Sequence, residues 1–103
     1  MQIRANFQDK TLYMQLSGEM DEHSASAARR SVDRMAEEYA ARLEKAIIDV
    51  SEVTFMDSTG IGFLIGRYKK LNRYRIRMYI SNPNTSADKV LSVSGIYNLI
   101  EKV

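Results

Sequence analysis

Alternating apolar and polar residues predict two strands at the start of the chain. The apolar positions of the two segments are Ile3, Ala5 and Phe7, then Leu12, Met14 and Leu16. This period of two is typical of strands with one buried face, and the intervening Asp9-Lys10 pair predicts a tight turn. We therefore expect a hairpin whose second strand ends at Gly18.

Two later segments repeat apolar residues every three or four positions, the spacing of one helix face. Their apolar positions are Ala28, Val32, Met35, Tyr39 and Leu43, then Ile61, Leu64, Ile65, Tyr68 and Leu71. Ser24 is the expected N-cap of the first helix. Between the helices, the β-branched run Ala46–Val50 predicts a central strand. A loop from Ser51 to Asp57 is expected to follow that strand.

The remainder of the chain predicts a strand over 75–80, a third helix and a last strand near 97–101. The turn around Pro83 introduces the third helix, and Gly95 is expected to end it. The predicted order is β-β-α-β-α-β-α-β. It indicates a single α/β domain over 1–103, with a mixed sheet of four to five strands.

Only one side of the predicted strands is consistently apolar, so we expect the helices mainly on one face of the sheet. Arg75 and Arg77 belong to the polar side, which should be the less covered one. Asp49, on the neighbouring central strand, is expected within reach of one of these arginines.

Composition excludes several classes of protein. The chain has 103 residues, a formal charge of +2 and no cysteine, which excludes disulfides and thiolate chemistry. No apolar run approaches the roughly 18 residues of a membrane span, and the N-terminus does not resemble a signal peptide. We therefore expect a cytoplasmic protein without a membrane span.

Basic residues concentrate in one segment: Arg67, Lys69, Lys70, Arg73, Arg75 and Arg77. Interleaved tyrosines make a nucleic-acid surface one interpretation. The other is that the lysines close a helix and the arginines form the polar side of a strand. The alternation of charged and apolar residues favours the second interpretation, without direct nucleic-acid binding.

The connection from the central strand into the second helix is the main candidate site. Functional sites in open parallel sheets lie at the carboxyl ends of strands, which is where Ser58 falls. Its hydroxyl is suited to cap the helix, or to accept a phosphate of roughly −1.5 to −2 charges beside Asp57. Gly60 and Gly62 would allow a close approach by another molecule; packing of the helix on the sheet is the other explanation for Gly62 and for Gly66.

The sequence lacks residues that specific dinucleotide-binding, hydrolytic and zinc-binding motifs require. The glycine pattern lacks the acidic residue that a dinucleotide site requires. Hydrolysis by Ser58 needs a base, and the single histidine, His23, is expected in the loop before the first helix. One histidine without cysteine also argues against a zinc site, and no metal site is expected.

The run from Ile48 to Lys69, with its Met-Asp-Ser-Thr-Gly core at 56–60, resembles the signature of STAS domains of the bacterial anti-sigma factor antagonists. The Gly-Glu-Met-Asp turn at 18–21 is similar to a second, shorter motif of the family. The continuation Gly-Arg-Tyr-Lys at 66–69 looks most like the antagonist of the sporulation sigma-F pathway. The resemblance covers nearly the whole chain.

The resemblance implies a partner switch and not an enzyme. The unphosphorylated antagonist would bind an anti-sigma factor that is also a serine kinase, and so release a sigma factor. Ser58 would be the phosphoacceptor. The residues implied at the docking surface are Asp21, Asp57, Thr59, Gly60 and Ile61. The kinase would supply ATP and magnesium, the chain would need no cofactor of its own, and a PP2C-type phosphatase would restore the hydroxyl.

Two departures from the family pattern stand out. The family pattern leads us to expect a further helix after the last strand, whereas the sequence reads Ile100-Glu101-Lys102-Val103 there, and the usually glycine-rich turn after the second helix reads Asn72-Arg73-Tyr74. Two alternative functions remain. One is a stand-alone STAS protein of a stress-signalling or transporter-associated system, and the other is an enzyme acting on a small molecule at Ser58 or the glycine loop.

Overall fold

A computed structural model describes all 103 residues, and its helices and strands follow the predicted order. The strands are β1 (Gln2–Gln8), β2 (Thr11–Met20), β3 (Lys45–Met56), β4 (Arg77–Ser81) and β5 (Glu101–Lys102). The helices are α1 (Glu22–Tyr39), α2 (Ser58–Arg73) and α3 (Thr85–Ser94), with 3₁₀ turns at Ala40–Arg42 and Ile96–Asn98. The single α/β unit of the sequence analysis is confirmed.

The five strands form one sheet in the order β1-β2-β3-β4-β5. β1 is antiparallel to β2, and all other neighbours are parallel, so the sheet is mixed. The β1–β2 turn is the predicted Asp9-Lys10 pair, in which both residues have positive φ (51° and 64°). Two successive positive φ values are characteristic of the type I′ turn, whose twist matches that of the flanking strands.

One face of the sheet carries the core. Its buried side chains include Leu12, Met14, Leu16, Ile48, Val50, Met78 and Ile80. Helices α1 and α2 pack against each other and contribute buried residues to this core. On the opposite face Tyr13 and Arg77 are exposed and Tyr79 is only partly buried. The prediction of one mainly covered face is therefore confirmed, with Arg77 exposed on the other face. Arg75 is exposed as well, but it lies in the turn before β4, so the predicted strand start at 75 is wrong.

The predicted loop over 51–57 is wrong, because β3 continues to Met56. Two register shifts between β2 and β3 leave extra residues on β3 near Val50 and Thr54. Such bulges interrupt the alternation that marks a strand in sequence. Gly18 likewise lies within β2, at φ +99°, and does not end the strand.

The cap of α1 was also misassigned. Asp21 is the N-cap, and Ser24 is the third helical residue of a reciprocal capping box. His23 is consequently in the first turn of the helix and not in a loop. Ala36 belongs to the buried stripe of α1, whereas Met35 is only partly buried.

The predicted proximity of Asp49 to an arginine is wrong. The β3–β4 register pairs Asp49 with Ser81 and places Arg77 opposite Lys45, four residues away along the strand. Asp49 accepts hydrogen bonds from the Ser51 hydroxyl (2.6 Å) and backbone N–H (2.8 Å), and from Asn82 Nδ2 (3.0 Å). Burial acts to raise the pKa of Asp49, but these hydrogen bonds outweigh it and hold the pKa below its ordinary value.

The third helix ends at Gly95 as predicted, in the left-handed conformation at φ 80°. The final strand is shorter than expected and covers only Glu101–Lys102, because a 3₁₀ turn occupies Ile96–Asn98. The basic segment is not uniformly exposed. Arg67 is buried beside Asp33, with 2.7 Å between Arg67 Nε and Asp33 Oδ1.

Candidate functional site

The end of the β2–β3 pair brings two aspartates to one edge of the sheet. Met20 and Met56 are partners in the parallel register and end their strands. The next residues, Asp21 and Asp57, are the N-caps of α1 and α2. Neighbouring parallel strands lie about 4.8 Å apart, so the N-termini of α1 and α2, each capped by an aspartate, lie side by side at the same edge of the sheet.

Ser58 is the first residue of α2, and it is exposed. The cap is Asp57, whose Oδ1 accepts the backbone N–H of Thr59 at 2.9 Å. The capping role considered for Ser58 is therefore performed by its neighbour. The Ser58 hydroxyl makes no hydrogen bond within the chain, which leaves it available at the surface.

Asp21 is held in an equally defined position. Its Oδ1 accepts from the Ser24 backbone N–H at 2.9 Å and from the Ser24 hydroxyl at 3.1 Å. The backbone bond from Ser24 is the main reason that the pKa of Asp21 is lowered. This carboxylate is therefore ionised near neutral pH and contributes a fixed negative charge beside the Ser58 edge.

Gly60 has a clear packing role. A Cβ at this position would lie 2.6 Å from Met56 Cγ and 2.8 Å from Met20 Sδ, so any larger residue would have to displace these methionines or move α2 away from the strand ends. Gly60 is buried, whereas Thr59 and Ile61 are partly exposed. The contact of all three with a partner protein remains a prediction.

Gly62 and Gly66 are different. Nothing in the chain lies within 4 Å of a Cβ added to either residue. Packing of the helix on the sheet therefore does not explain these glycines. Both line open grooves between α1 and α2.

The site also contains an aromatic residue that the sequence pattern does not single out. Phe55 is 49% exposed, three residues before Ser58. Alternation counted from the buried Val53 would place it inside, but the extra residue at Thr54 turns it outwards, to the side given by the alternation of Ala46, Ile48 and Val50. The end of β3 is fixed in turn by Asn84, whose Nδ2 donates to the Val53 carbonyl at 2.8 Å. The exposed aromatic ring is thus part of an ordered surface.

The structure contains no group of three or more histidine, cysteine or acidic residues placed to hold a metal ion. No helix has both the length and the apolar character required to cross a bilayer. His23 is exposed in the first turn of α1 and makes no hydrogen bond to Ser58. The site therefore consists of a free hydroxyl, two capping carboxylates and an exposed aromatic ring.

A model of the STAS domain family matches residues 2–103. The chain belongs to the STAS family. This domain is 28% identical over 100 residues to a protein of Paenibacillus polymyxa named anti-sigma F factor antagonist, covering 97% of the chain and 84% of the relative.

Two solved structures share the STAS fold closely. The anti-sigma factor antagonist SpoIIAA in its unphosphorylated form superposes with a TM-score of 0.80 at 23% identity, covering 99% of this chain and 88% of that one. SpoIIAA of Bacillus in the phosphorylated form gives a TM-score of 0.72 at 23% identity, with 99% and 91% coverage. At 23% identity, the similarity to these two structures establishes the fold of the chain.

Proposed function

We propose that this STAS domain is an anti-sigma factor antagonist that is switched by phosphorylation of Ser58. In the unphosphorylated state it binds an anti-sigma factor with serine-kinase activity, and a sigma factor is released. The anti-sigma F antagonist from Paenibacillus polymyxa and the two forms of SpoIIAA support this role by their similarity. By the same similarity we assign the chain to a sporulation pathway of the sigma-F type.

The observation that carries the proposal is the state of Ser58. A kinase requires an accessible hydroxyl, and Ser58 is exposed and unbonded at the first position of α2. Because Asp57 provides the cap, phosphorylation does not remove a hydrogen bond that stabilises the helix. The modified domain is therefore expected to stay folded.

The electrostatic effect of the phosphate is large at this location. A phosphoserine adds roughly −1.5 to −2 charges, which the N-terminus of α2 accepts favourably. At the surface, however, it joins the carboxylates of Asp57 and Asp21, both fixed as caps. A partner that fits the unmodified edge must then desolvate or oppose a concentrated negative charge, so its affinity falls.

We assign the docking surface to this edge. Asp21, Asp57, Thr59 and Ile61 provide its polar and apolar border, and Gly60 sets the depth of the helix beneath it. Phe55 adds the exposed aromatic side chain that typically anchors a protein interface.

In this scheme the chain is a substrate and a ligand, and not a catalyst. The kinase brings ATP and magnesium, so the domain needs no cofactor, and a separate PP2C-type phosphatase removes the phosphate. Ser58 has no hydrogen-bonded base that would activate it as a nucleophile. With these proposed partners, we assign the chain to the cytoplasm.

The test is phosphate mapping. The chain, Ser58→Ala and the control Ser92→Ala are incubated with an active anti-sigma serine kinase of the same genome, ATP and magnesium. Ser92 is an exposed helical serine in α3. Mass spectrometry should find one phosphate, on Ser58, in the wild-type chain and in Ser92→Ala, and none in Ser58→Ala. Phosphate at another residue, or none at all, contradicts the proposal.

A further inference from the structure

A strongly basic groove runs between α1 and α2, away from the sheet. Its lining consists of Arg29, Arg30, Asp33, Arg34, Glu37, Gly66, Arg67, Lys69, Lys70 and Arg73. Seven cations against two carboxylates give this lining a formal charge of +5, compared with +2 for the whole chain. The rest of the molecule therefore carries a net charge of −3, and the positive charge is concentrated on one surface.

Most of these cations have no partner within the chain. Asp33 pairs with Arg67, and Glu37 pairs with Lys70 at 2.6 Å. The other five cations form no ion pair: Arg29, Arg30, Arg34, Lys69 and Arg73. Gathering unpaired like charges is unfavourable unless an anion is bound nearby, so this surface is suited to an acidic ligand.

A second groove continues this surface towards Ser58. It is lined by Glu22, Ala25, Ser26, Arg29, Thr59, Gly62, Phe63, Gly66 and Arg67. Arg29, Gly66 and Arg67 line both grooves, so the two are continuous. The path begins beside Thr59, next to the switch serine, and extends along α2 to Arg73.

The two open glycines fit an occupant of this path. A glycine inside a helix destabilises it relative to alanine, and nothing in this chain requires Gly62 or Gly66. Four residues apart, they lie on one side of α2 and continue into the stripe of Lys69, Lys70 and Arg73. The absence of side chains leaves room for another backbone to approach the helix.

We propose that the α1–α2 groove binds an acidic segment of the same partner protein that docks at Ser58. This inference rests on the proposed function. The charge of the groove selects an acidic segment, and its continuity with the Ser58 edge places that segment on the partner already bound there. The groove thus adds a second contact that distinguishes acidic partners from other anti-sigma factors.

A single-stranded nucleic acid fits the groove less well. Single strands are held by aromatic rings on which bases stack, and the basic part of the groove contains none. Phe63, at the other end, is buried with the Arg67 guanidinium 5.3 Å from its ring centroid. That ring is covered and does not offer a stacking surface.

The first test reverses charge in the groove. Arg34→Glu/Arg73→Glu changes two exposed, unpaired cations, and Arg4→Glu/Arg77→Glu makes the same charge change on the uncovered sheet face. Affinity for the anti-sigma kinase is measured by calorimetry after circular dichroism has confirmed folding. At about 0.1 M salt we expect about a tenfold loss for the groove variant, which shrinks at about 0.5 M, and a change within about twofold for the control.

The second test uses the open glycine. Gly66→Gln should raise the melting temperature, because a helix favours glutamine over glycine and the space is empty, while weakening kinase binding. A merely structural glycine would not give opposite changes in stability and affinity. Unchanged binding of Gly66→Gln therefore contradicts an occupied groove.

The outcomes separate the two proposals. If the wild-type chain does not bind the kinase, the proposed function fails and this inference fails with it. If the wild type binds and the groove variant matches its control, only the groove inference is overturned. Competition with a poly-glutamate peptide and with a short DNA duplex identifies the ligand class. Stronger competition by the duplex would show a nucleic-acid surface and overturn the acidic-segment assignment.

Discussion

Replacing Gly60 by alanine should destabilise the domain, whereas the same change at Gly66 should stabilise it. At Gly60 the new methyl would lie 2.6 Å from Met56 Cγ and 3.1 Å from Met20 Cγ. Met20 is fully buried and cannot swing into solvent. At Gly66 the methyl meets nothing within 4 Å.

The structure sets the size of both effects. Overpacking a core costs about 1–3 kcal/mol, and the position of Gly60 in the first helical turn limits the compensating gain in helix propensity. We expect Gly60→Ala to lose about 1–2 kcal/mol of unfolding free energy. Gly66→Ala, in the helix interior and free of contacts, should gain about 0.5–1 kcal/mol.

Urea unfolding followed by circular dichroism measures both variants directly. For a domain of this size each kcal/mol also shifts the melting temperature by about 4–8 °C, so the two alanine variants should melt on opposite sides of the wild type. A stabilising Gly60→Ala, or equal effects at both sites, would refute the packing assigned to the Met20–Met56 pair.

Three further predictions concern stability. Asp33→Ala should lower the free energy of unfolding by about 3 kcal/mol, because it leaves the Arg67 guanidinium buried without its anion. The exposed control Glu37→Ala should be indistinguishable from the wild type in urea unfolding. Equal effects of the two substitutions would contradict this prediction. Arg75 has a left-handed backbone conformation, with φ 61°, which glycine adopts more easily than arginine. Arg75→Gly should therefore raise the free energy of unfolding by about 0.5–1 kcal/mol, and a lower melting temperature would contradict this prediction. Asp49 has a lowered pKa, so its carboxylate stabilises the fold above the ordinary aspartate pKa of about 4 and loses that contribution as the pH falls through its lower folded pKa. The difference in unfolding free energy between the wild type and Asp49→Asn should therefore narrow as the pH is lowered below about 4, and a constant difference would count against this prediction.

Regular periodicity made most of the fold predictable. The apolar positions of β2 and of the Ile76–Ile80 segment alternate without interruption, and both segments have the expected buried side. Gly95 ended α3 as predicted because a left-handed C-terminal residue favours glycine strongly. In β1 the same alternation predicts the strand but not a buried face, because Ala5 and Phe7 are exposed at the edge of the sheet.

The wrong predictions concern positions where two neighbouring residues could fill the same role, or where the residues in contact are far apart in the sequence. Both Asp21 and Ser24 are good N-caps, and the capping box uses both with Asp21 as the cap. Val53 is buried and Phe55 is exposed, although they are two residues apart, because of the bulge against β2 at Thr54, which a single strand does not reveal. The burial of Arg67 depends on Asp33 of another helix, so sequence order alone grouped it with exposed cations.

The candidate site was likewise predictable only in part from the sequence. The location of Ser58 at the start of α2 followed from the strand–helix order and from the family resemblance. That Asp57 caps the helix and leaves the Ser58 hydroxyl free required coordinates, because serine and aspartate are comparable caps. The different roles of Gly60 and Gly66 likewise depend on what lies beside each residue in space.

The most direct test of the switch is calorimetric titration of the anti-sigma kinase with the unmodified chain and with the chain phosphorylated at Ser58, alongside circular dichroism of both. The account predicts tight binding by the unmodified chain, a loss of about two orders of magnitude or more on phosphorylation, and native-like spectra for both forms. Ser58→Ala should bind as the unmodified chain does. Equal affinities of the two forms, or unfolding of the phosphorylated chain, would contradict the assignment of Ser58 as a surface switch.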